Sequence, residues 1–118
     1  MFNSWGMNAF VLKYSVMPKY FPKPLLNARK AIRWIKTNVE ALGIDKNQIL
    51  VMGSSASGHF ASMLSTYTQA LEGEETDVVE EEFLPDGEIL CYPVVSSEAE
   101  IGYMGSYIHL LGDRFYDK

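Results

Sequence analysis

Ile49-Leu50-Val51-Met52-Gly53-Ser54-Ser55-Ala56-Ser57-Gly58-His59 decides how the rest of this chain reads. Ile49 to Met52 are four consecutive apolar residues, the character of a parallel strand buried on both faces. The segment Gly53 to Gly58 is small and polar, and beyond it Phe60, Leu64, Tyr67 and Leu71 recur at the spacing of one helix face. The order strand, tight turn, helix puts Ser55 at a sharp bend. There its hydroxyl is lifted clear of the sheet end, and the N-terminus of the following helix favours developing negative charge. A strained bend with close helix-to-strand approach leaves no room for large side chains, and Gly53, Ala56, Ser57 and Gly58 meet that need.

Outward from this stretch, Ala9-Phe10-Val11-Leu12, ending at Lys13-Tyr14, is a short apolar run that reads as a buried strand. Prolines at 18, 22 and 24 make the next residues an extended loop. From Leu25 the period changes: Ala28, Ala31, Ile32, Ile35, Val39 and Leu42 form one stripe, with Arg29, Lys30, Arg33 and Lys36 between them. That is an amphipathic helix, stopped by Gly43. Residues 72–88 hold nine Asp/Glu and no Lys/Arg, so self-repulsion predicts a solvated excursion there. Ile89-Leu90-Cys91-Tyr92 reads as a further strand cut off by Pro93, and Ser106 to Leu111 as a short helix ended by Gly112. Strands alternating with helices predict an α/β fold with a parallel sheet and flanking helices.

At 118 residues, 47% hydrophobic and 21% charged, the chain has the size and composition of one globular domain or part of a larger one. No apolar run approaches the ~18 residues of a membrane span. The first residues lack the basic start and apolar stretch of a secretory signal, so the expected location is cytoplasmic. A single cysteine, Cys91, forms no internal disulfide, and with two histidines there is no Cys/His cluster spaced for zinc; no metal or cofactor is expected. The net charge is −5, split into +6 over residues 1–59 and −11 over residues 60–118. An acidic chain is a poor nucleic-acid partner, and the basic half reads as a solvated helix face.

The elbow Gly53-Ser54-Ser55-Ala56-Ser57-Gly58-His59-Phe60-Ala61-Ser62 resembles that of the α/β-hydrolase superfamily, in its acetyl-esterase and feruloyl-esterase-like branch, which includes acetylxylan esterases and lipase-like carboxylesterases. The likeness extends along the chain. Phe10 to Pro18 is similar to the family's strand and Tyr-Arg-x-x-Pro sequence, with Ser15 in place of Arg. Ala31-Ile32-Arg33-Trp34-Ile35, Leu42-Gly43-Ile44-Asp45, Tyr92-Pro93-Val94-Val95 and Leu110-Leu111-Gly112-Asp113 resemble its other segments. The resemblance implies one partial α/β-hydrolase domain over residues 1–118, with the nucleophile elbow at 51–62, lacking the early strands and the C-terminal strands. It implies that Ser55 is the nucleophile of a carboxylic-ester hydrolase and that the backbone N–H of Ala56 donates to the oxyanion. Gly53, Ser57 and Gly58 would shape the elbow, with Ser57 a departure that adds a β-carbon where the family has glycine.

The fold's order of Ser, then Asp or Glu, then His leaves no catalytic acid or base identified in this chain. His109 lies in the expected short helix, and His59 is one helical turn past Ser55, where a buried or capping role is expected. The expected reaction is acyl-ester cleavage, with a carbohydrate or other small ester as substrate and no nucleic-acid or membrane partner. The alternative is a non-catalytic remnant acting as a binding or assembly module, with exposed strands offering self-association. Other readings of the same stretch are weaker. Gly53 and Gly58 have phosphate-loop spacing but are followed by His59 and Phe60 where Lys and Ser or Thr are needed. The acidic stretch lacks the pattern of a Ca²⁺ loop.

Overall fold

The computed structural model describes residues 1–16, 19–75, 77–96, 98 and 100–116. After a 3₁₀ turn, Phe2–Trp5, the elements are helix α1 (Lys23–Thr37), α2 (Val39–Leu42), strand β1 (Leu50–Ser54), α3 (Ala56–Thr66), α4 (Glu80–Phe83), strand β2 (Gly87–Cys91) and α5 (Met104–Leu111), then a second 3₁₀ turn. Among the described residues the sheet has two strands, parallel, in a register that runs from Leu50 opposite Gly87 to Ser54 opposite Cys91. Asp86 fixes where that register starts. Its N–H donates to the Ile49 carbonyl at 2.8 Å and its carboxylate accepts the Ile49 N–H at 2.9 Å.

The amphipathic stripe read from Leu25 forms α1, and Gly43, at φ 64, closes α2 in the left-handed conformation that glycine adopts without steric cost. Leu25, Leu26, Ala28 and Ile32 of α1 meet Phe60 and Leu64 of α3, with Leu71 beside them, to make the core. α3 crosses both strands and so seats the sheet on this core. Side chains alternate along β1. Gly53 is buried and Val51 half-buried, while Leu50 and Met52 on the other face are exposed. The expectation of a strand buried on both faces is not met among the described residues: α3 covers one face and leaves Leu50 and Met52 on the other exposed.

Two further expectations change. The run Ala9 to Tyr14 forms no ladder, since neither β1 nor β2 pairs with it, and Val11 is 99% exposed. It is held by its end: the Tyr14 ring stacks on Phe60 with centroids 4.3 Å apart, and the Ser15 N–H donates to Asn27 Oδ1 at 3.1 Å. Met17 and Pro18, part of the family-like segment, lie outside the described residues. Helix α3 ends at Thr66, short of the periodicity that ran to Leu71, because the next carbonyls have another donor. Arg29 Nη2 donates to the Tyr67 carbonyl at 2.5 Å and to the Gln69 carbonyl at 3.1 Å.

That arginine also explains the acidic stretch. Arg29, Arg33 and Lys36 lie on one stripe of α1 and meet the acidic segment, so the basic face is not simply solvated and the segment is not a free excursion. Arg29 is 1% exposed, pairs with Glu74 at 2.6 Å and stacks its guanidinium 4.0 Å over the Phe83 ring. Arg33 bonds Glu75 and Glu82, and Lys36 donates to the carbonyls of Glu81 and Leu84. The exposed pairs add little. The buried one matters through what its loss leaves behind, a desolvated carboxylate and two unpaired carbonyls. Arg29→Ala is expected to cost about 3–5 kcal/mol, against about 1 kcal/mol or less for Arg33→Ala. Urea unfolding followed at Trp34 measures both, and equal losses would show that burial of Arg29 is not what counts.

Candidate active site

The bend between β1 and α3 is built by two glycines. A Cβ on Gly53 would stand 2.1 Å from the Ser57 carbonyl oxygen, an overlap that no rotamer relieves. A Cβ on Gly58 would stand 3.0 Å from Cα and Cβ of Pro93 and 3.2 Å from the Gly53 carbonyl oxygen. The first glycine lets the helix turn back onto the strand that feeds it. The second lets the helix lie against the segment that leaves β2.

Ser55, between them, has φ 53 and ψ −121, backbone values that non-glycine residues rarely adopt. Such strain persists only where the surroundings over-determine it. Here the Ser55 N–H donates to the Cys91 carbonyl at 3.0 Å, and the Ser55 carbonyl accepts from His59 N–H at 3.1 Å and Val94 N–H at 3.3 Å. Every backbone group of Ser55 is thereby used, and its side chain is exposed at the C-terminal end of the strand. Ala56 is the first residue of α3, so its N–H has no carbonyl one turn back to bond and remains a donor beside the serine.

Ser57 is half-buried, and its Oγ lies 3.2 Å from the Tyr14 hydroxyl. Of the small residues expected at the close approach, Gly53 and Gly58 carry it, and the Ser57 side chain bonds Tyr14. Tyr14, which sequence reasoning placed in a strand, thus reaches the elbow. Its signal in the sequence was only that it ends an apolar run.

Neither histidine serves Ser55. His59 is half-buried, its ring edge-on to Tyr107 with centroids 5.0 Å apart, and its imidazole bonds the Val94 backbone. Burial pushes its pKa below the usual 6.5, partly offset by that bond. Burial likewise raises the Tyr107 hydroxyl above 10.0, so a neutral phenol faces the ring. His109 is exposed in the last turn of α5. Among the described residues no side chain bonds Ser55 Oγ, and no group of three or more His, Cys, Asp or Glu could hold a metal ion. No described helix is long and apolar enough to cross a membrane.

Residues 5–89 match the sequence model of the family described as BD-FAE. The chain belongs to the BD-FAE family. Its relatives make this an esterase-type branch of the α/β hydrolases. The acetyl ester-xyloside bifunctional hydrolase of Caldicellulosiruptor lactoaceticus superposes with a TM-score of 0.78 at 43% identity, over 94% of this chain and 41% of that one. The endo-1,4-beta-xylanase B of Butyrivibrio fibrisolvens is 31% identical over 92% of this chain and 16% of its own length. An acetylxylan esterase of Xylanibacter ruminicola is 27% identical over 97% of this chain and 22% of its own. The chain therefore spans less than half of each of these relatives.

In this BD-FAE chain the Ser57 hydroxyl stabilises the elbow. Ser57→Gly is expected to lower stability by about 1 kcal/mol, from the lost hydrogen bond and the freer helical backbone. Tyr14→Phe removes the same bond, so the double variant should cost less than the two single losses added. A raised urea midpoint for Ser57→Gly would mean that steric relief outweighs the bond.

His59 carries a pH signature. Its folded pKa lies below the unfolded value of 6.5, so on acidification the unfolded chain takes up the proton first. Its contribution is intact above that pH and is lost as the pH falls below it. The urea midpoint of the wild-type chain should fall between pH 7 and pH 5 by more than that of His59→Gln. Parallel profiles for the two would assign the loss to other groups.

Proposed function

We propose that this chain carries the nucleophile segment of a carboxylic-ester hydrolase. Ser55 Oγ bonds the acyl carbon, and the carbonyl oxygen, gaining negative charge, is met by the Ala56 N–H. As the tetrahedral intermediate collapses, the bond to the alcohol breaks and the alcohol leaves with the proton taken from Ser55. Water then releases the acid and restores the serine. The observation that carries this reading is the backbone of Ser55, strained at φ 53, bonded at both ends and presenting an exposed hydroxyl at the head of a helix. The strained backbone satisfies the turn and at the same time leaves the Ser55 hydroxyl exposed, with no hydrogen-bond partner among the described residues.

The substrate class we propose is an acetyl ester of a carbohydrate. The names of two relatives, an acetylxylan esterase and an acetyl ester-xyloside bifunctional hydrolase, support it. One observation favours the second reading, a non-catalytic binding module: both described histidines are placed away from Ser55, His59 against Tyr107 and His109 on the surface of α5.

The two readings separate in a graft. With this chain replacing the matched segment of the Caldicellulosiruptor lactoaceticus hydrolase, p-nitrophenyl acetate turnover is expected to survive. Ser55→Ala in the graft should lower it by about three orders of magnitude or more. The isolated 118-residue chain should match its own Ser55→Ala variant, since among the described residues no base bonds the serine. A folded graft whose turnover ignores Ser55→Ala would overturn the assignment.

A further inference from the structure

Ser55 and Tyr92 are the described non-glycine residues with positive φ, 53 and 39. They are also neighbours. The ladder ends with Ser54 opposite Cys91, so each is the first residue beyond its strand, at the same end of the sheet. For a bulky residue such a φ costs on the order of 1–3 kcal/mol and needs surroundings that impose it. They are present: the preceding carbonyl, of Cys91, is taken by Ser55 N–H, the following Pro93 is wedged against Gly58, and Val94 N–H is tied to Ser55.

What the strain achieves is exposure. The Tyr92 side chain is 77% exposed, and no described residue stacks on its ring or bonds its hydroxyl. A glycine would meet the backbone demand at no steric cost. Among the described residues this exposed ring, held by a strained backbone at the sheet end where the serine stands, has no ring or hydrogen-bond contact that would offset the strain.

We propose that Tyr92 is a specificity residue that contacts substrate, its ring the platform for the sugar part of a carbohydrate ester whose acyl group meets Ser55. The inference rests on the hydrolase reading above and adds to it the residue that holds the sugar. A tyrosine suits a sugar because it offers an apolar face for the C–H groups and a hydroxyl at its tip for the ring oxygens.

The test uses the full 118-residue chain and two probes, acetylated xylobiose and ethyl acetate, titrated while backbone amide and tyrosine ring resonances are followed. Both esters should shift the Ser55 and Ala56 amides, and the sugar ester should bind about tenfold more tightly or better. Tyr92→Ala should remove that margin and leave ethyl acetate binding and the urea midpoint unchanged, while Tyr92→Phe, keeping the ring, should retain most of it. A merely structural role would instead move the midpoint and weaken both probes alike. A margin that survives in Tyr92→Ala overturns the role of Tyr92 and leaves the hydrolase reading standing. If neither ester reaches Ser55 or Ala56, the hydrolase reading fails and this inference falls with it.

Discussion

The absence of a side chain at Gly53 is the constraint on which the elbow depends. Any β-carbon there would overlap the Ser57 carbonyl, so α3 could not fold back so tightly against the strand that leads into it. With that turn closed, the backbone conformation in which Ser55 satisfies both its N–H and its carbonyl is a strained one. The strain is balanced by bonds reaching across to the end of β2. The elbow is thus not a local motif alone: Cys91 and Val94, some forty residues on, supply two of its three backbone bonds.

This gives the buried arginine a bearing on the site. The chain must travel from α3 back to the start of β2 through a segment dense in carboxylates, which alone would repel itself into solvent. Arg29 gathers it by taking the carbonyls of Tyr67 and Gln69, the Glu74 carboxylate and the face of Phe83. Asp86 then delivers β2 to β1 in register by its paired bonds with Ile49. A slip of one residue would move Cys91 and Val94 away from Ser55, so the electrostatic seam on α1 and the register of the sheet act on the same bend.

What the sequence disclosed follows the range of the interactions. The α1 stripe, the stop at Gly43 and the strand-turn-helix around Ser55 are written within a few residues of one another, and pattern reading finds them. The placement of Arg29 is not, because whether a cation on a helix face meets water or a carboxylate forty-five residues away depends on tertiary contact. The same holds for the early end of α3 and for Tyr14, whose hydroxyl finds Ser57 only after Phe60 seats its ring. Ala9 to Leu12 shows the converse error. Strand-forming residues specify a strand only where another strand pairs with them, and neither β1 nor β2 does so.

Shape and proton chemistry are separate properties of this site. Everything that fixes Ser55 is backbone N–H and carbonyl, from the turn itself and from residues 91 to 94, and such groups carry no proton chemistry. His59, the histidine nearest in sequence, is kept neutral by burial and faces Tyr107, so it helps hold α5 to α3 and contributes no base. The backbone bonds of Ser55 close off the sides toward α3 and β2, which leaves its hydroxyl approachable from beyond the strand ends. In the proposed reaction a general base for Ser55 would come from that open side, where Tyr92 is also exposed. Base and substrate would therefore meet the serine in the same space, and the bond network beneath it need not change for either to arrive.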